Sequence, residues 1–74
     1  MTEKEIQICR VLGACYVSRT DGMNDQCFLW DHKPKEHKYN GCTHYGLSNP
    51  IATVDSVFFP SVDRGCLVQV MEAE

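Results

Sequence analysis

Seventy-four residues leave room for one small domain with a single core, and at 43% apolar the chain is too hydrophobic for a solvated disordered segment. Its 7 basic and 10 acidic residues give a formal charge of -3. That balance excludes the basic surplus with which a general duplex-DNA binder displaces counterions, and it is too mild for a DNA mimic.

Residues 3–12 carry two competing signals. Thr2 and Glu5 stand three apart in the form of a capping box, which starts a helix. Ile6, Ile8 and Val11 are β-branched and Gly13 soon follows, and on that balance the segment leans to a strand. Residues 14–19 and 26–30 are rich in β-formers and flank Asp21-Gly22, a pair that supplies the positive φ angles of tight turns. They predict a hairpin, with Met23, Asn24 and Asp25 lengthening its loop. From Asp31 to Gly41 the chain gathers proline, glycine and most of its histidines and lysines, which reads as a solvated loop. A short edge strand is expected at 42–45, then a turn at Ser48-Asn49-Pro50. Residues 51–59 form the next strand candidate, stopped by Pro60. Residues 66–71 alternate so that Cys66, Val68 and Val70 share one face. The expected fold is mainly β, a small antiparallel sheet or open barrel, with a short N-terminal helix as the alternative to a first strand. Unpaired sheet edges favour closure, cover or pairing with another copy, so a homo-oligomer is expected.

No apolar stretch approaches the roughly 20 residues of a membrane-spanning helix, and none has the form of a secretory signal. A soluble, intracellular chain without membrane contact is expected. Of the five cysteines, Cys9, Cys15, Cys27 and Cys66 lie in apolar runs. In a reducing compartment they read as small buried hydrophobes rather than as a disulfide framework.

Three constellations bear on chemistry. Cys27, His32, His37, Cys42 and His44 fall within 18 positions, and the spacing of His32 and His37 is common among zinc ligands. No Cys-x2-Cys knuckle accompanies them, so no metal site is assigned and a zinc-stabilised interaction module stands as a third reading. Second, Lys33, Lys35 and Lys38 lie between Trp30 and Tyr39. Ammonium groups neutralise phosphate and aromatic faces stack on bases, a mixture that suits a phosphorylated nucleotide. A solvated basic loop beside a core tryptophan explains the same residues. Third, Phe58 and Phe59 precede Pro60, and strand alternation would expose at least one of them as a partner surface; a loop folded back over an open end of the sheet explains the same residues. Nothing forms a nucleophile elbow, an oxyanion loop or a glycine-rich phosphate cradle, so neither an enzyme nor a resident cofactor is expected.

Val17-Ser18-Arg19-Thr20-Asp21-Gly22, then Cys27-Phe28-Leu29-Trp30 and Lys33-Pro34, then Phe59-Pro60-Ser61-Val62 and Val68-Gln69-Val70 together resemble small proteins encoded by bacteriophages. Those carry an Arg-Asp-x-Gly hairpin, an aromatic strand ending in Lys-Pro, and a late Phe-Pro-x-Val. The resemblance covers most of the chain from residue 14 onward; Thr20 before Asp21 departs from it, as does the Cys/His-rich stretch 37–44. It implies an accessory phage product in the host bacterial cytoplasm, similar in size and charge to the anti-CRISPR proteins. The leading expectation is therefore a non-catalytic antagonist of an antiviral defence, binding a host protein through 30–39 or 58–62. An oligomer that sequesters a nucleotide signal is the runner-up.

Overall fold

At the N-terminus the capping signal prevails over β-branching. The structure, a computed structural model, describes residues 1–20, 25–39, 41–45 and 49–70, with the backbone alone at 37–39 and 42–44. Helix α1 spans Glu3–Leu12. Thr2 caps it, and Gly13, at φ 76°, ends it with its N–H on the carbonyls of Arg10 and Cys9. The lean toward a strand is thus corrected. A β-branched residue costs a helix only a few tenths of a kcal/mol, whereas a cap is worth about 1 kcal/mol and burial adds more. Glu5, Ile8 and Cys9, at helical spacing, turn one face inward: Glu5 and Cys9 are buried and Ile8 packs on the core.

Strands β1 (Tyr16–Arg19) and β2 (Gln26–Trp30) form the expected antiparallel hairpin, pairing Tyr16 with Trp30 and Arg19 with Cys27. Its Asp21-Gly22 turn lies outside the described residues. Two further strands, β3 (Glu36–Tyr39) and β4 (Cys42–Tyr45), make a separate antiparallel pair. The predicted strand at 42–45 is present, but the loop reading of 36–39 is corrected: that stretch is the partner strand. Tyr39 pairs with Cys42, and Gly41 before it takes φ 78°, the left-handed backbone that favours glycine.

Strand β5 covers only Ala52–Asp55 rather than running to residue 59. The Asp55 carboxylate accepts from Val57 N–H at 3.0 Å, and the chain turns into a 3-10 helix at Ser56–Phe58. Strand β6 (Leu67–Gln69) completes an open antiparallel sheet in the order β5-β2-β1-β6. The fold is mainly β with one short N-terminal helix, and no helix among the described residues is long and apolar enough to cross a membrane.

The register sorts the two faces of the sheet. Val17 opposes both Leu29 and Val68, while Cys27 opposes Val54, and these residues share the core face with Ala52. Val70 packs there as well, but Cys66 precedes the strand and is exposed, against expectation. The core is then closed by a turn with no regular structure: Phe59 and Val62 are both fully buried.

Two polar clamps hold that turn. Glu5 Oε1 accepts from Thr2 N–H at 2.8 Å, Thr2 Oγ1 at 2.7 Å and Ser61 Oγ at 2.7 Å, while Oε2 accepts from Ser61 N–H at 3.1 Å. Arg19 donates to both oxygens of Asp25, at 2.8 and 2.9 Å, and to the carbonyl of Val62 at 3.0 Å. Burial pushes the Glu5 carboxyl up, but the hydrogen bonds from Thr2 and Ser61 outweigh it and hold the group at about 2, below its ordinary 4.5. The charged form therefore stabilises the fold fully above pH 4.5, and that contribution is lost as pH falls toward 2. Chemical denaturation across this window should show stability falling with pH, and Glu5→Gln should flatten part of that slope while lowering stability at neutral pH.

Candidate functional site

The sequence-predicted site residues separate into buried and exposed sets. Trp30 is 2% exposed, and its indole N–H donates to Ser18 Oγ at 2.9 Å. Phe28 and His32 meet it edge-on, with ring centroids 6.3 and 5.9 Å away. A ring so enclosed cannot stack on a ligand, so its assignment to binding is corrected to a packing role. Phe59 is corrected in the same way, because it is fully buried in the core.

Phe58 differs sharply from its neighbour. It is 54% exposed, and Val57 beside it is 71% exposed. The 3-10 turn produces this contrast rather than the strand alternation that the sequence suggests. Ser56 is buried, with its N–H on the Asp25 carbonyl at 3.2 Å, and Phe59 N–H bonds the Ser56 carbonyl at 2.9 Å. Val57 and Phe58 are therefore an apolar knuckle fixed on both sides by buried neighbours.

Lys33 and Lys35 are exposed on the segment that leads into β3. They line an open cleft of about 880 Å³ together with Tyr16 of β1 and Leu67 of β6. Tyr45 closes part of the wall, and its hydroxyl donates to the Gly65 carbonyl at 3.0 Å. Burial raises the Tyr45 phenol above its ordinary value, with nearby Glu36 adding to the effect, which keeps the hydroxyl a donor. The side chains of Lys38 and Tyr39 lie outside the described residues. Tyr16, Tyr45 and Leu67 escaped the sequence reading because no local motif ties them to the lysines; only the topology does.

The zinc constellation is not assembled by what is described. Cys27 is fully buried on the core face, where burial pushes its thiol up to about 11. The His32 ring faces the Asp31 carboxylate at 2.6 Å, and the side chains of His37, Cys42 and His44 lie outside the described residues. Among the described residues no cluster of histidine, cysteine and carboxylate side chains has the form of a metal site. Cys9 also rises to about 11 through burial, with Glu5 and Cys15 adding to it, so neither buried thiol is available as a nucleophile.

These features define a small antiparallel sheet backed by a capped helix, with an apolar knuckle and a basic cleft on its surface. No protein-family model, curated protein or solved structure matches the chain.

The two adjacent phenylalanines should respond oppositely to truncation. Phe59→Ala should cost about 3–5 kcal/mol in urea unfolding, while Phe58→Ala should stay within about 0.5 kcal/mol of the parent.

Proposed function

We propose that the protein is a phage-encoded, non-catalytic antagonist of a host antiviral defence, which acts by seating Val57 and Phe58 in an apolar pocket of a host protein in the bacterial cytoplasm. The observation that carries this reading is the knuckle itself: two large apolar side chains, 71% and 54% exposed, on a short turn whose flanking residues are buried. A rigid, protruding aromatic residue loses little conformational freedom on docking, and such anchors supply much of the energy of protein interfaces. Asp55, exposed at the base of the knuckle, adds a negative charge that suits a pocket rimmed by cationic side chains. The phage setting rests on the resemblance of the hairpin, the Lys33-Pro34 step and the Phe59-Pro60-Ser61-Val62 turn to small phage products.

Plaque formation by a restricted phage tests the reading directly, on bacterial hosts that carry defined defence systems and express this chain. Wild type should restore plaques on at least one such host. The double variant Val57→Ser/Phe58→Ser should fail to do so while keeping the parent's circular dichroism and unfolding midpoint. Restoration by the double variant, or no restoration by wild type on any host, would contradict the proposal.

A further inference from the structure

The basic cleft is remote in character from the apolar knuckle and supports an inference independent of it. Lys33 and Lys35 both line it, and neither forms an ion pair with any described residue. Among the described residues that line the cleft, Glu36 is the one carboxylate against two lysines. Other lining residues are of a different character. Tyr16 and Tyr45 are half-buried and Leu67 is partly buried, so the cleft joins a cationic rim to an aromatic and aliphatic floor.

Each set of lining residues selects for one half of a ligand. Ammonium groups hold phosphate oxygens through charge-assisted hydrogen bonds, and they are strongest where part of the site is screened from water. Phenol rings offer flat apolar faces on which a heterocyclic base gains contact area whatever its sequence or substituents. The floor does not depend on a mobile side chain. Tyr45 is anchored through its hydroxyl to Gly65, and Gly65 N–H bonds the Arg19 carbonyl at 3.1 Å. The β4 residue and the β1–β6 region are thereby tied together on one side of the cleft. An inorganic anion would use the rim alone and a nucleoside the floor alone.

We infer that this cleft binds a nucleotide, with its phosphate on Lys33 and Lys35 and its base against Tyr16 and Tyr45. In this inference the cleft retains the ligand.

Titration of the uniformly 15N-labelled protein with adenosine 5′-monophosphate, adenosine and inorganic phosphate tests the assignment by NMR. The monophosphate should shift the amides of Tyr16, Lys33, Lys35 and Leu67, and should bind at least about tenfold more tightly than adenosine or phosphate alone. Lys33→Ala/Lys35→Ala should weaken that binding by about tenfold or more, with the remaining amide spectrum unchanged, and raised salt should weaken the wild type in the same direction. Equal binding of phosphate and the monophosphate would overturn the base-stacking half, and equal binding by the double lysine variant would overturn the phosphate half. No shift at the cleft with any of the three probes would overturn the inference entirely. Because Val57 and Phe58 play no part in this titration, its failure leaves the knuckle reading to stand or fall on the plaque assay.

Discussion

The Glu5 carboxylate is 1% exposed, and nearly everything that closes the core depends on how its charge is satisfied. A carboxylate so deeply placed is costly unless hydrogen bonds replace its water. Thr2 and Ser61 do so from opposite directions, 56 residues separating Glu5 from Ser61. One side of that contact starts the helix and the other fixes the turn that carries Phe59 and Val62. The second clamp, from Arg19 to Asp25 and Val62, approaches the same turn from the sheet. A four-residue segment without regular secondary structure can therefore supply two fully buried side chains to the core.

This constraint also shapes the surface. With Phe59 drawn inward and Ser56 buried, the intervening Val57 and Phe58 have no route back to the core. Their exposure follows from how the neighbours are held, so the knuckle keeps its form without a partner. On the other sheet face, the Trp30–Ser18 hydrogen bond performs a comparable service, fixing the indole so that the segment beyond it can leave the sheet toward the cleft.

Much of the sheet was legible because its signals are local. The β1–β2 hairpin followed from β-rich runs around a turn pair, and Val68 and Val70 from simple alternation. The helix was legible too, since Thr2 and Glu5 stand at capping-box spacing, yet three β-branched residues outweighed them in the reading. Their propensity is small beside the burial of Cys9 and the bond from Ser61, neither of which is visible in the local sequence. Strand β3 was hidden because its Glu36, His37 and Lys38 read as part of a solvated loop. Phe58 to Val62 was open between an exposed surface and a loop folded over the end of the sheet, because the two clamps that bury Phe59 and Val62 come from residues 5 and 19. The cleft was half legible: Lys33 and Lys35 stand two apart in sequence, whereas Tyr16 and Leu67 join them through the fold and Tyr45 through its bond to Gly65.

A double-mutant cycle on Glu5 and Ser61 tests the central claim most directly, using Glu5→Ala, Ser61→Ala and the double variant in equilibrium unfolding at neutral pH. If the carboxylate is what fastens the turn to the helix, the two changes will be coupled, their combined cost differing from the sum of the single costs by about 1 kcal/mol or more. Additivity within about 0.3–0.5 kcal/mol would contradict it, and would mean that packing of Phe59 and Val62 positions the turn without the buried charge.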